Sequence, residues 1–261
     1  MVIILATSCT VAYWHSRKSF TKWVFAYSLL AYALAIAIKT VFQALTIGYV
    51  INSGPYALGI YYGLQTSLFE VGLAYLFAKY AVKKYQMSAK DASGYGVGLA
   101  FWENGILLGI IPLINLFGIY FLLSGSIPAS SAIAAKVFAI ISKSEPSLFL
   151  PYLKAFPIIL LGLLERVSSI LIHISWGFLA FYAAFYKKRK YLAIAMPMGL
   201  VDFFVPFAGA LGLFNFEILI FLISVVSIII SIAIYSSQNQ KNSQRKAVSC
   251  RKRSKRDIPH P

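Results

Sequence analysis

Apolar runs of about 20 residues or more, each long enough to cross the hydrocarbon core of a bilayer, recur along almost the whole chain. No other feature restricts the possible folds so far. A soluble protein of 261 residues needs a polar face on its helices, and these segments have none. Hydrophobic residues make up 59% of the sequence and charged residues 12%, about half the usual charged share of a soluble domain. The expectation is an all-α, polytopic membrane bundle without internal repeats.

Breaks between runs place about seven spans at residues 1–15, 23–51, 56–82, 93–123, 152–186, 191–212 and 215–236. Asn52-Ser53-Gly54-Pro55 is a turn signal, and His15-Ser16-Arg17-Lys18 and Lys187-Lys188-Arg189-Lys190 are charged interruptions. Residues 124–150, small, Ser-rich and punctuated by proline, read as an outer loop with room for a short interfacial helix. Met1 to Trp14 lacks the basic start and small-residue cleavage site of a signal peptide, so it reads as a short first span. Its helix reaches only about 21 Å, thin for a span, and is consistent with an upstream start. Residues 1–236 form the membrane domain, and 237–261 a basic tail expected to be disordered.

Basic residues set the orientation. Nineteen of the 24 Lys and Arg lie on one side of this topology: after span one, between spans three and four, at Lys187–Lys190, and in the tail. By the positive-inside rule the N-terminus is outside and the C-terminus cytoplasmic, in the plasma membrane. Much of the net +16 sits in the tail, where attraction to anionic lipid is a simpler account than nucleic acid, and a plain topology anchor simpler still. Cys9 and Cys250 face opposite sides and cannot bridge, and neither has zinc-ligand neighbours. Cys250 is open to acylation, with a free thiol the simpler reading. Trp14, Trp23 and Tyr85 near span ends read as interfacial anchors.

Ionisable residues inside spans are costly and face cavities or partners. Glu70, Glu103, His173 and Asp202 lie 12–14 residues from the nearest charged cytoplasmic flank of four different spans. At helical rise each is about 18–21 Å deep, so four helices deliver polar groups to one layer. A paired packing role explains any one of them alone; four at one depth point to a cavity. Gly94, Gly98, Gly105 and Gly109 allow another helix to come close. Arg166 and Ser169 share the face of His173, Arg166 is positioned to pair with Glu165, and Lys39 in span two calls for a membrane carboxylate.

The residues around these positions resemble a known family. Gly96-Val97-Gly98-Leu99-Ala100-Phe101-Trp102-Glu103-Asn104 resembles the GxGFAxxEN motif of PrsW-type membrane proteases. Glu165-Arg166 through His173-Ile174-Ser175-Trp176 is similar to the ER…H span of YhfC-type intramembrane metalloproteases. Phe69-Glu70-Val71-Gly72-Leu73-Ala74-Tyr75 is similar to the family's first, FEExxRY-like motif, and Met198-Gly199-Leu200-Val201-Asp202-Phe203 to the final HxxxDF. The four follow family order on separate spans, within the wider group of CAAX-prenyl endopeptidases and bacteriocin-processing enzymes. The resemblance implies proteolysis in the membrane, of a membrane-embedded or lipidated protein, with Glu70 as general base. It makes Glu103 a second polar or ligand group, and His173 and Asp202 ligands or oxyanion stabilisers. A zinc ion held by Glu103, His173 and Asp202 belongs to the same implication.

The sequence departs from the pattern at Val71, Ala74, Leu99 and Met198. A thioether cannot replace an imidazole toward zinc or a proton. Two readings stay open on the residues: a divergent enzyme leaning on carboxylates, or a relative without catalysis that binds a membrane partner. A proton- or cation-coupled transporter is a third, less supported for want of paired repeats.

Overall fold

In a computed structural model, described for residues 2–124, 131–144 and 150–256, the chain is a helical bundle with no strand among the described residues. The helices are α1 (Val2–Ser16), α2 (Lys22–Val50), α3 (Pro55–Gln65), α4 (Gly72–Tyr85), α5 (Asp91–Ala100), α6 (Ile111–Leu123), α7 (Ser131–Ser144), α8 (Tyr152–Tyr186), α9 (Arg189–Gly199), α10 (Ala208–Leu211) and α11 (Leu213–Arg256). Two π-helical stretches, Thr66–Val71 and Phe101–Ile110, join α3 to α4 and α5 to α6, and a 3₁₀ stretch, Leu200–Phe207, joins α9 to α10.

Five segments are long and apolar enough to cross a membrane: Lys22–Val50, Asp91–Leu122, Tyr152–Tyr186, Arg189–Leu211 and Leu213–Gln238. The apolar Val2–Ser16 is shorter, at 15 residues. Pro55 to Tyr85 runs on through its π-helical stretch without a loop. Part of the segment read as an outer loop is the helix α7, while residues 125–130 and 145–149 lie outside the described ones.

Sequence signals at the helix ends act as their chemistry requires. Gly54 takes φ +86° and Pro55 opens α3, so the turn between α2 and α3 uses a residue free of Cβ and one without a needed N–H. Thr21 caps α2 by accepting from Val24 N–H at 3.3 Å. Asp91, the first residue of α5, accepts from the Ser88 backbone N–H at 2.7 Å and from the Ser88 hydroxyl at 2.9 Å, which ties down the turn leading into the helix. Lys187 turns left-handed at φ 54°, and Lys188 N–H returns to the Ala183 carbonyl, closing α8 in a Schellman-type end.

α8 is the central helix, packed against α4, α5, α9 and α11. Its residues Ser175 to Ala184 are buried on every side, whereas most of its first turns are exposed apolar residues. Large apolar side chains such as Leu45, Tyr49 and Leu153 cover the outside, while Glu70, His173 and Asn104 are buried. A surface apolar over this extent suits lipid, not water.

α5 is wedged between the α1–α2 turn and α8, and only glycine permits that spacing. A Cβ on Gly94 would stand 1.8 Å from the Ser19 carbonyl oxygen, and one on Gly96 2.4 Å from that of Ile174. Both lie far inside any real contact, so the backbones themselves touch.

Candidate functional site

Three of the four residues singled out at one depth sit where regular α-helix gives way. Glu70 lies in the first π-helical stretch, Glu103 in the second and Asp202 in the 3₁₀ stretch. A π-helical turn widens the helix and re-aims side chains, and such turns are frequent at functional sites. The first is pinned from outside: Ser67 donates to the Met196 carbonyl at 2.8 Å, and a Cβ on Gly199 would meet Ser67 Cα at 2.7 Å. Near the second, Trp102 donates to Ser28 Oγ at 3.2 Å. His173 comes from the regular, fully packed part of α8.

All four line one cavity of about 470 Å³. Within it they fall into two groups. In the first, His173 Nε2 stands 2.6 Å from Glu103 Oε2 and 3.4 Å from Glu70 Oε2. The side chains of His173 and Glu70 are only 6% and 8% exposed, so this meeting takes place out of solvent. His173 Nδ1 lies 2.9 Å from the Ser169 carbonyl, an acceptor only, so Nδ1 carries the proton. Nε2 is then left facing two carboxylates, an ion-pair contact when the ring is protonated, and makes no hydrogen bond of regular geometry to either. The Trp176 ring stands 4.2 Å from the imidazole in edge contact, and the Tyr32 ring also meets it edge-on at 6.3 Å.

In the second group Lys39 Nζ donates to Thr66 Oγ1 at 2.6 Å, to Glu70 Oε1 at 2.7 Å and to Asp202 Oδ2 at 3.1 Å. Thr66 also donates to Asp202. Lys39 does find a membrane carboxylate, in fact two. Asp202 belongs to this lysine cluster, and its carboxylate is not among the contacts of His173 Nε2. Glu70 joins the groups, one oxygen toward Lys39 and the other toward His173.

Around Glu103 the network continues. Ser169 donates to Glu103 Oε2 at 3.2 Å, Asn104 to Ser169 Oγ at 3.1 Å, and Arg166 to Asn104 Oδ1 at 3.4 Å. Arg166 also pairs with its neighbour Glu165, as the sequence leads one to expect. Thr66 and Glu217 escape a sequence reading. Thr66 is one of many membrane threonines. Glu217 stands two residues inside the last expected span, and that position was its only signal.

Val71, Ala74, Leu99 and Met198 are all buried in the hydrophobic core, and none lines the cavity. The carbonyl of Ala74 accepts from Tyr95 Oη at 2.9 Å, so an aromatic hydroxyl fills the space beside it. Met198 lies on α9, before the change to 3₁₀ geometry turns Asp202 toward the cavity. The four departures therefore alter packing around the site and remove no donor from its present lining.

A multi-pass helical bundle with a buried imidazole between carboxylates of two other helices defines an integral membrane protein with an enclosed polar site. The sequence profile of the YhfC intramembrane metalloprotease family matches residues 2–230, and the chain belongs to that family. No curated protein and no solved structure matches it.

The family implies a metal. Among the described residues no group of three or more His, Cys, Asp or Glu side chains stands ready to hold one. The Nε2 of His173 nevertheless fits a cation. A proton on Nε2 makes the 2.6 Å approach to Glu103 an ion pair, and with that proton gone the same nitrogen and carboxylate oxygen are placed as two donors for a cation. With Nδ1–H committed to a backbone carbonyl, the imidazole is already in the tautomer a ligand requires. The residues fit as a two-donor site of one nitrogen and one carboxylate, with Glu70 beside it.

Proposed function

We propose that the chain is a working intramembrane protease that hydrolyses peptide bonds of membrane-embedded or lipidated proteins between Glu70, Glu103 and His173. The observation that carries this reading is the buried His173 Nε2, set between two carboxylates from other helices. Kinship with PrsW-type enzymes and the wider CAAX-prenyl endopeptidase group is part of the same reading.

His173 and Glu103 would hold the metal, zinc by the nature of the donors. When bound, it supplies Lewis-acid polarisation of the peptide carbonyl and a more acidic water. The chain's own residues do the rest. The Ser169 carbonyl fixes the imidazole with Nε2 inward, and the Ser169 hydroxyl steadies Glu103. Lys39 anchors Glu70 by Oε1, which leaves Oε2 on the side of the site. That oxygen accepts the proton of the attacking water as the new C–O bond forms. It returns the proton to the leaving nitrogen as the C–N bond breaks. The Lys39 ammonium offsets the negative charge of Glu70 and Asp202, which lets a carboxylate-rich site persist away from water. In this reading Asp202 orients Lys39 and is not a metal ligand.

The test is cleavage of fluorescent transmembrane peptides by the protein in nanodiscs. Glu70→Gln should lower the rate by roughly 10²–10⁴-fold, the range of general-base catalysis. Unchanged cleavage ends the proposal. The absence of a three-donor group favours a second reading, a non-catalytic relative that holds a membrane partner in the same cavity. Partner binding that survives Glu70→Gln and Glu103→Gln, with no peptidase activity, would support it.

The proposal extends to topology. α1 and the composite helix from Pro55 to Tyr85 join the five long spans as crossings, for seven in all, with the N-terminus outside. Residues 237–261 then form a cytoplasmic tail lying against anionic lipid of the plasma membrane.

A further inference from the structure

Glu217 is 3% exposed, lines the cavity, and has a carboxylate oxygen, Oε2, that is buried without a hydrogen-bond partner. It lies within electrostatic reach of Glu165 and Arg166, which line the same cavity. Arg166 is already committed to Glu165 and Asn104. Among the described residues no cation forms an ion pair with Glu217, and Arg166 is held by Glu165. A buried carboxyl without a partner keeps its proton until a cation is brought to it, and the open Oε2 faces a cavity from which one can come.

We propose, building on the protease reading, that this end of the cavity receives a cationic side chain of the substrate peptide, with Glu217 as its acceptor. Leu107, Val205, Phe216 and Ile220 supply apolar walls along which the aliphatic stem of a lysine lies while its ammonium reaches the carboxylate.

Binding without turnover tests this. The full chain carrying Glu70→Gln, in nanodiscs, is titrated with two fluorescent polyleucine–alanine transmembrane peptides that differ only in a single lysine or norleucine. Fluorescence anisotropy gives both affinities. The lysine peptide should bind at least roughly tenfold more tightly, the scale of a desolvated ion pair. The preference should vanish with Glu217→Gln and persist in part with Glu217→Asp, which keeps the charge and guards against a packing artefact. Equal affinities, no binding of the lysine peptide, or a preference unchanged by Glu217→Gln would overturn the inference. Cleavage by the unmodified protein separates the two proposals. Cleavage with no lysine preference removes the recognition site and leaves the protease. A lysine preference that depends on Glu217, with no peptide cleaved, does the reverse.

Discussion

Lys39 on α2 and Glu70 in the first π-helical stretch are joined by an ion pair of 2.7 Å, and the same ammonium reaches Asp202 at 3.1 Å. The lysine thus bridges two carboxylates from different segments and holds only one oxygen of Glu70. The other oxygen stays beside His173. Structural and chemical roles are divided within a single carboxyl group.

Removing this ammonium should be costly. Lys39→Met leaves Glu70 and Asp202 facing each other with no cation between them, and breaking a buried pair from one side costs roughly 3–5 kcal/mol. The effect should appear as a lowered midpoint of thermal unfolding in detergent. Asp202→Asn added to Lys39→Met should cost less than the sum of the two single changes, as a double-mutant cycle will record.

Metal content separates a loaded site from an empty one. The purified protein should carry about one zinc per chain, lost on chelation, because two protein donors are one short of the usual catalytic set. The double variant Glu103→Gln/His173→Ala should carry none. Equal metal in both proteins would place the ion elsewhere.

The hydroxyl of Ser169 touches both Glu103 and the imidazole. Ser169→Ala keeps the backbone carbonyl that binds Nδ1 and removes only the support of Glu103. Cleavage should fall by roughly tenfold, about 1.4 kcal/mol of barrier, with the unfolding midpoint nearly unchanged. A fall in stability as large as that of Lys39→Met would show that the hydroxyl serves packing instead.

The glycine wedge makes a prediction about the fold alone. Gly94→Ala would drive a methyl into the Ser19 carbonyl and should destabilise by about 1–3 kcal/mol or more, the cost of overpacking. Gly118→Ala has open space around it and should be near neutral. Equal effects at the two positions would argue against the close approach of α5.

Much of this architecture was legible in the chain itself. Apolar length compelled membrane helices, because hydrocarbon leaves backbone groups no other partner. The turn at Gly54-Pro55 and the charged ends at Lys18 and Lys187 interrupt the helices where the sequence marks them. The cost of charge in lipid made Glu70, Glu103, His173 and Asp202 conspicuous, and all four line one cavity.

Depth, however, is a coordinate along each helix and says nothing of rotation about it. Whether Asp202 faces His173 or Lys39 depends on where the α-helical pitch gives way. The π-helical turns at Glu70 and Glu103 and the 3₁₀ turn at Asp202 carry no periodic signal in the residues. They are settled by contacts such as Ser67 with the Met196 carbonyl and Gly96 against Ile174, made between segments distant in sequence. The same holds for the departures. Met198 looked like a missing ligand because it precedes Asp202 by four residues, one turn of regular helix. The change of pitch after Gly199 puts the two side chains in different surroundings. Sequence determined the solvent and the helices and marked out the costly polar residues, since transfer energies act residue by residue. Only tertiary packing decided which polar groups meet, because that depends on helix rotation, which no single segment sets alone.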